Sequence, residues 1–366
     1  MVAIINDVNA GFQHNVPPIP VDDCTGGVYY LRTKRRRIAA VFKPADEEPY
    51  APNNPKRYLR NNKIEPDLPL QPEDQYALVK HSDSKLSSSK SGIRAGIAAG
   101  DAAIREVAAY LLDKQNLASV PMTSLATAFH SIFHYAENKA ANGNRVWKTG
   151  AIQAYIPHNC TADDVSITLF SVEDVHAIAL LDIRLANQDR HGGNILVVDE
   201  QQLQKKTYKL VPIDHGACLP RVCEMEETSF LWLFWPQAKR PFSKAMLHYI
   251  TSLDPWEDVH LLQQSLPESH QVEPQALLTL HICTVLLQVC ALEKNMSAYD
   301  IGMLMCRHES FRHQQPKPSI LEQLVAKSLK NIEAPKYESV RQSQDTYFKS
   351  VVASFQQHLA SYLTTM

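Results

Sequence analysis

The sequence predicts an α+β fold in which a β-rich N-terminal part precedes a mainly helical C-terminal part. Two observations support this division. Short runs of β-branched and aromatic residues separated by polar turns mark the first part, and apolar residues recur at helical spacing in the second. The chain has 366 residues, 45% hydrophobic and 21% charged, which is enough for one large two-lobed domain or two modest domains.

The first elements are an extended segment and a hairpin. Residues 1–22 are predicted to be extended because prolines stand at positions 17, 18 and 20. Residues 26–31 and 38–43 are two β-type runs separated by polar and basic residues, which is typical of a hairpin. Its basic tip would suit phosphates or an anionic surface, although a solvated tip is the simpler interpretation. The tip cluster is Arg32, Lys34, Arg35, Arg36 and Arg37.

An irregular insert occupies about residues 50–100, where the segments PYAPNNP, EPDLPLQPED and HSDSKLSSSKSG indicate flexible loops. Inserts of this length are usually functional or disordered. The serines around Leu86 are candidates for regulatory phosphorylation, with a plain surface loop as the alternative.

Helices and strands alternate after the insert. Apolar spacing predicts a helix over residues 101–113 that carries Glu106, then β structure over 146–156 and a helix from Val172. A second hairpin is predicted from residues 195–198 and 208–213. The remaining chain is predicted to be helical, with candidates at 276–292, at 320–332 and at a final helix with Phe348, Val352, Phe355, Leu359 and Tyr362 on one face.

Several function classes are disfavoured by composition. The formal net charge of −2 gives no reason to expect nucleic-acid binding. Seven cysteines without paired metal-ligand spacing indicate a reducing, intracellular compartment. The N-terminus lacks a secretory-signal pattern. The apolar stretch Ala276–Leu292 contains His281 and Gln288 and falls short of the roughly 20 residues that a bilayer span needs, so no transmembrane segment is expected.

One constellation of residues has the chemistry for phosphoryl transfer from ATP, which needs a cation on the phosphates, Mg²⁺ ligands and a carboxylate that orients the attacking hydroxyl. Asp189 and Asn194 stand between a predicted helix and the second hairpin, and Asp214 follows the last strand of that hairpin. The two ends of a short hairpin converge, so Asn194 and Asp214 could share Mg²⁺. Loop capping by these residues is the alternative.

The N-terminal part supplies the complementary groups. Lys43 closes the second strand of the first hairpin and Glu106 lies on the next helix, so the two could form an ion pair that holds the lysine against phosphates. Gly26 and Gly27 open the hairpin, where missing side chains would let backbone N–H groups approach a phosphate. A plain turn is the alternative for the glycines.

These motifs resemble the catalytic domain of the phosphatidylinositol 3-/4-kinases, most of all the type II and gamma-type phosphatidylinositol 4-kinases. The likeness covers roughly residues 23–310 through TGGVYYLR, VFKPADEEPYAPNNP, IREVAAYLLD, SVPMT, NQDRHGGNILV, LVPIDHGACLP, LWLFWPQAKRPFS and SAYDIGMLMCR. It implies a bilobal protein-kinase-like fold with a β-rich N-lobe over 23–153, a mainly helical C-lobe over 154–310 and a helical extension over 311–366. The palmitoylated cysteine-rich run of animal type II enzymes has no counterpart here.

The resemblance also implies residue roles. Lys43 would contact the ATP phosphates with Glu106 as its partner, Asp189 would be the catalytic aspartate, and Asn194 and Asp214 would bind Mg²⁺. Arg190 and His191 would belong to the same catalytic loop as Asp189. His191 would assist proton movement or steady the γ-phosphate. The segment linking the lobes, whose backbone would meet adenine, includes Gln153, Tyr155 and Ile156.

The expected function is ATP- and Mg²⁺-dependent phosphorylation of phosphatidylinositol at the 4-hydroxyl by a cytoplasmic protein, peripheral on intracellular membranes. The basic hairpin and an aromatic cluster are candidates for membrane docking, because aromatic residues favour the membrane boundary. The alternative is that the aromatic residues belong to the core, where such residues are more often found. The alternatives are a protein Ser/Thr kinase with the same fold and a catalytically silent scaffold. The aromatic cluster comprises Trp232, Phe234, Trp235 and Pro236.

Overall fold

The two-lobed, kinase-like architecture expected from the resemblance is confirmed: a five-stranded sheet forms the N-lobe, and helices with a three-stranded sheet form the C-lobe. The computed structural model describes residues 1–56, 94–135, 146–202, 205–226, 228–307, 317–330, 332 and 341–365. Most of the predicted insert, including the serine-rich loop around Leu86, lies outside the described residues.

The N-lobe sheet is antiparallel and has the strand order β1-β2-β3-β5-β4. Its central strand β3 alternates in burial, so that Ala40 and Phe42 enter the core while Lys43 faces the opposite side of the sheet. The first predicted hairpin is β2 and β3, with the basic residues 34–37 exposed at its tip. The strands are β1 Ile19–Pro20, β2 Tyr29–Arg32, β3 Ile38–Pro44, β4 Thr123–Ala128 and β5 Lys148–Ala154.

The N-terminal segment was expected to be extended, and this expectation is wrong for residues 2–13, which form helix α1, Val2–Gln13. Val8 is buried in the N-lobe core, and Ile4, Ile5 and Phe12 pack against the same cluster. These apolar residues recur at helical spacing. The prolines that suggested an extended chain all lie beyond the end of the helix.

Helix α2, Ala102–Leu112, follows the insert as predicted and carries Glu106. It packs against strands β4 and β5 and also contributes Val107, Ala108 and Leu112 to the main core of the C-lobe. Its position between the two lobes places Glu106 next to the cleft.

Helix α3, Val172–Leu185, is the central element that leads into the predicted catalytic loop. The Ser171 hydroxyl caps its start by accepting a hydrogen bond from the Asp174 N–H at 3.0 Å. Ala186 ends it in a left-handed conformation (φ 45°). The second predicted hairpin follows, and the β-sheet of the C-lobe contains β6 Cys160–Thr161, β7 Ile195–Gln202 and β8 Lys205–Pro212.

The C-terminal extension is part of the C-lobe core. Leu321, Leu324, Phe348 and Phe355 are buried in the same hydrophobic cluster as the earlier helices, and the last two helices pack against each other. The remaining helices are α4 Lys244–Thr251, α5 Pro255–Ser265, α6 Pro274–Gln288, α7 Ala298–Met305, α8 Ile320–Leu329 and α9 Arg341–Leu363.

The longest apolar stretch is helix α6 with the π-helical turn Val289–Glu293 that continues it. Among the described residues this is the one helix, Pro274–Glu293, with the length and apolar composition that could span a membrane, and 78% of its apolar window is buried inside the protein. It is the central helix of the C-lobe core.

The packing of α9 can be tested at Phe355, whose side chain is fully buried. Phe355→Ala is expected to lower the free energy of unfolding by about 3–5 kcal/mol, because it removes a large buried ring and leaves a cavity. Denaturant unfolding measures the change, and Gln356→Ala, at the exposed neighbouring position, is the matched control. Equal midpoints for the two variants would contradict the packing of α9 on the C-lobe.

Candidate active site

The amino group of Lys43 is the centre of the cleft. It donates a short hydrogen bond to Glu106 Oε1 and lies 3.1 Å from Asp214 Oδ1. The predicted pairing of Lys43 with Glu106 is therefore present, and a strand, a helix and the turn after β8 meet at one cation. Glu106 is buried, whereas more than half of the Asp214 side chain is exposed to the cleft (54%).

The charges of this triad support one another. The positive charge of Lys43 lowers the pKa of Asp214 to about 2. Burial alone would lower the pKa of Lys43, but attraction to Asp214 and Glu106 raises it overall. Burial raises the pKa of Glu106 against the attraction of Lys43. When all three groups are ionised, one cation faces two carboxylates, and the remaining negative charge suits an additional cation.

Asp214 lies in a turn that is fixed on both sides. Its backbone is left-handed (φ 56°), a conformation that aspartate tolerates better than most residues. The Ile213 N–H donates to the Asn194 carbonyl at 3.0 Å, and the His215 N–H donates to Glu106 Oε2 at 3.1 Å. Asn194 and Asp214 are thus brought side by side at the ends of the β7–β8 hairpin, as the sequence predicts.

Asp189 is held at the start of the same loop. Its N–H donates to Asn187 Oδ1 at 3.2 Å, and its carbonyl accepts from Asn194 Nδ2 at 2.9 Å. About a third of the Asp189 side chain is exposed (35%), and its carboxylate faces Arg94. The carboxylate can therefore be reached from the cleft while its backbone is fixed.

Arg190 was expected to act with Asp189 in catalysis, but its guanidinium is buried and bonded within the protein. Its Nε lies 3.0 Å from Asp182 Oδ2, and its Nη1 donates to the carbonyls of Asn194 and Ile213, both at 2.7 Å. These contacts tie the loop to the strand before Asp214. The geometry therefore favours a positioning role for Arg190 over contact with a substrate.

Asp182 is a site residue that sequence reasoning missed. This fully buried carboxylate on α3 accepts hydrogen bonds from Arg190, from Asn187 Nδ2 at 2.8 Å and from Trp232 Nε1 at 3.0 Å. The available signal was an aspartate directly after the apolar run 177–181 of this helix, because a buried charge requires partners.

His191 is exposed. The two glycines that follow allow a close turn: a Cβ on Gly192 would lie 2.0 Å from Asp163 Oδ1. The role expected for His191 in proton movement or phosphate binding stays a prediction.

The two glycines of the first hairpin have different surroundings from those predicted. The Gly27 N–H already donates to the Glu47 carbonyl at 2.9 Å, and a Cβ on Gly27 would lie 2.0 Å from Glu47 Oε2. Close packing against Glu47 accounts for this glycine, so the phosphate contact predicted for Gly27 is not supported. The contact predicted for Gly26 stays a prediction.

The linker between the lobes starts later than predicted. Gln153 lies within β5 between two strands, and its buried Nε2 donates to Thr123 Oγ1 at 3.0 Å. The Tyr155 N–H donates to the Ala39 carbonyl at 3.1 Å. These groups are used inside the N-lobe, so the expected adenine contact of Gln153 is not supported. Ile156 lies just beyond the strand, and its contact stays a prediction.

Glu48 is a second residue that sequence reasoning missed. Its carboxylate accepts the backbone N–H groups of Gly100 at 2.7 Å, Ala102 at 3.1 Å and Ala103 at 2.8 Å. It therefore caps the start of α2, where the Asp101 side chain makes no capping bond. The end of β3 is thereby joined to the helix that carries Glu106.

The aromatic segment considered for docking is largely internal, in agreement with the alternative that these rings belong to the core. The Trp232 indole is buried on Asp182, and the Trp235 ring packs 5.0 Å from that of Phe170. Phe234, in contrast, is 81% exposed. The Leu231 N–H donates to the Arg190 carbonyl at 2.9 Å, which joins the start of this segment to the predicted catalytic loop.

The donor set fits a hard cation. Asn194 and Asp214 carry an amide and a carboxylate oxygen at the adjoining ends of the β7–β8 hairpin, and Mg²⁺ commonly takes one or two such ligands while keeping waters and phosphate oxygens. Within the described ranges there is no group of three or more His, Cys, Asp or Glu side chains that could hold a metal. A cation bound here would therefore depend on this small donor set and on the phosphates of a nucleotide.

The sequence matches a known protein family over most of its length. Residues 25–301 match the family model described as phosphatidylinositol 3- and 4-kinase. The chain belongs to this family. It is 37% identical over 328 residues to phosphatidylinositol 4-kinase gamma 6 of Arabidopsis thaliana, and the alignment covers 87% of this chain and 47% of that relative.

Two further relatives have the same pattern. Phosphatidylinositol 4-kinase gamma 7 of Arabidopsis thaliana is 35% identical over 340 residues, covering 90% of this chain and 46% of that protein. Phosphatidylinositol 4-kinase gamma 4 of Oryza sativa subsp. japonica is 34% identical over 334 residues, covering 88% and 51%. The chain spans about half the length of the curated relatives it matches.

The cap formed by Glu48 can be tested by pH. Burial raises the pKa of Glu48 from its usual 4.5 to about 7, against the three N–H bonds that lower it. The folded state therefore binds the Glu48 carboxyl proton more tightly than the unfolded state does. The stability that this protonated carboxyl contributes is present below about pH 4.5 and is lost as the pH rises to about 7. The Glu48→Gln side chain cannot titrate, so the free energy of unfolding of this variant is expected to fall less as the pH rises. The slopes of the two proteins should differ by at most about 1.4 kcal/mol per pH unit.

Denaturant unfolding of the wild type and of Glu48→Gln across this range measures the effect. Glu226→Gln, which removes an exposed carboxylate, is the control and should follow the wild-type curve. Parallel curves for the wild type and Glu48→Gln would contradict the prediction.

Proposed function

We propose that this chain transfers the γ-phosphoryl group of ATP, with Mg²⁺, to the 4-hydroxyl of phosphatidylinositol. The observation that carries the proposal is the Lys43 cation between Glu106 and Asp214, beside the loop that holds Asp189 and Asn194. The three relatives described above are phosphatidylinositol 4-kinases, which supports the choice of lipid and hydroxyl.

Each residue of the site has a role in this proposal. Lys43, held by Glu106, would bind the ATP phosphates, while Asp214 and Asn194 would hold Mg²⁺. When bound, the metal would neutralise charge that develops on the transferred group. Asp189 would orient the acceptor hydroxyl and accept its proton. Arg190 and Asp182 keep the loop in place through their buried ion pair.

A lipid acceptor requires contact with a membrane surface, which we propose is the cytoplasmic face of an intracellular membrane. Two exposed features support peripheral docking. Phe234 offers an exposed apolar ring in the segment that is bonded to the catalytic loop at Leu231, and residues 34–37 offer positive charge at the hairpin tip. Aromatic rings favour the interface, and basic residues favour anionic lipids.

The chemistry is tested by Asp189→Asn and Asp214→Asn. Each variant is expected to lower the rate of labelled-phosphate transfer from Mg²⁺-ATP to phosphatidylinositol vesicles at least about a hundredfold, because a proton acceptor or a metal ligand is removed. Glu257→Gln, which removes an exposed carboxylate from α5, should retain the wild-type rate. Near-normal transfer by either site variant would refute its assigned role. Label on general protein substrates and not on the lipid would favour a protein kinase.

Docking is tested by Phe234→Ser. We expect binding to phosphatidylinositol-containing vesicles to weaken several-fold, since the variant removes the exposed ring of this segment. Trp147→Ser, at a 61% exposed position of the N-lobe, is the matched control. Co-sedimentation measures both, and equal effects of the two substitutions would rule out a specific role for Phe234.

A further inference from the structure

Arg94 forms an ion pair with the aspartate that the proposed function makes the proton acceptor. Its Nη2 lies 2.7 Å from Asp189 Oδ1, and the two side chains are 47% and 35% exposed. Ion pairs at such exposure contribute little to folding stability. The position of this cation is therefore better explained by the chemistry of the cleft than by the stability of the fold.

The backbone next to Arg94 is anchored to the C-lobe. The Ile97 N–H donates to the Arg94 carbonyl at 3.2 Å, and the Ile97 side chain is buried. The Gly96 carbonyl accepts from the Arg221 N–H at 3.0 Å. Gly96 has a φ of +74°, and a Cβ there would lie 2.8 Å from the Arg221 nitrogen, so glycine is required for this close approach. Arg94 is thereby fixed beside the catalytic loop.

Within the part of the chain that the structure describes, two other cations of the site, Lys43 and Arg190, are bonded to partners inside the protein. Lys43 is shared by Glu106 and Asp214, and the buried guanidinium of Arg190 is bonded to Asp182 and to backbone carbonyls. Arg94 instead presents a half-exposed guanidinium to the cleft. A planar guanidinium can bind a phosphate through two parallel N–H bonds, which an ammonium group cannot do.

We propose that Arg94 is a phosphate-binding residue of the active site that exchanges its partner when substrate binds. In the free protein it pairs with Asp189. With substrate present, the guanidinium turns to a phosphate group and leaves the Asp189 carboxylate free to accept the hydroxyl proton. The inference rests on the proposed function. The phosphate is either the γ-phosphate of ATP or the phosphodiester of the inositol lipid headgroup.

The test compares the wild type with Arg94→Ala and Arg94→Lys. Direct binding of Mg²⁺-ATP and of Mg²⁺-ADP is measured by titration, which requires no turnover, and KM for phosphatidylinositol and kcat are measured with vesicles. Arg240→Ala, at an exposed position of the C-lobe, is the control. Thermal unfolding checks that all variants are folded.

Two results support the proposal and identify the phosphate. If Arg94 binds the γ-phosphate, Arg94→Ala weakens ATP binding about tenfold and leaves ADP binding unchanged. If it binds the headgroup, both nucleotides bind normally while KM for phosphatidylinositol rises about tenfold and vesicle binding is retained. Arg94→Lys should recover part of the loss in either case, because it keeps the charge without the bidentate geometry.

Other results overturn the proposal. Unchanged nucleotide binding together with an unchanged KM would show that Arg94 binds no phosphate. A higher kcat in Arg94→Ala would show that the arginine only blocks Asp189. If the wild type binds ATP but does not phosphorylate the lipid, the proposed function fails, and the comparison of ATP with ADP still decides whether Arg94 contacts the γ-phosphate.

Discussion

The contact of one lysine with two carboxylates organises the cleft. Lys43, Glu106 and Asp214 belong to a strand, a helix and a turn that are distant in sequence, and each needs its own support to reach the common point. Glu48 supports the start of the helix, and Arg190 supports the strand before the turn. A charged group that is shielded from water requires a partner of opposite charge. Displacement of the strand, the helix or the turn would therefore leave one of these three charges poorly compensated.

The same logic operates below the catalytic loop. Asp182 is fully buried and is compensated by Arg190, Asn187 and Trp232. Buried ion pairs add little net stability compared with apolar packing, but removal of one partner typically costs about 3–5 kcal/mol. Such a network therefore specifies one conformation of the loop more than it stabilises the fold. The hydrogen bond to Asp182 also explains why the Trp232 indole, a candidate for membrane docking in the sequence, lies inside the protein.

The parts of the site that local patterns determine could be predicted from the sequence. The register of the β7–β8 hairpin places Asn194 beside Asp214, and the alternation along β3 turns Lys43 toward the cleft. Contacts between distant residues could be predicted where the order of kinase motifs implies them, as for Lys43 and Glu106, but not elsewhere. The contact of Arg94 with Asp189 spans 95 positions in the chain, and the Glu48 cap joins groups more than 50 positions apart. No local pattern reports such distances. The prolines after α1 are a different case, because the helical spacing of Ile4, Ile5, Val8 and Phe12 is a local signal for that helix.

The hydrophobic cores of the two lobes include residues on both sides of the segment that matches the family model. The match ends at residue 301, yet Leu324, Phe355 and Leu359 complete the C-lobe core, and Val8 completes that of the N-lobe before the match begins. A fragment trimmed to residues 25–301 would expose the apolar face of α6 that α9 covers. Exposed apolar surface of this kind promotes aggregation. Fragments prepared for crystallisation or enzymology should therefore keep both flanking helical regions.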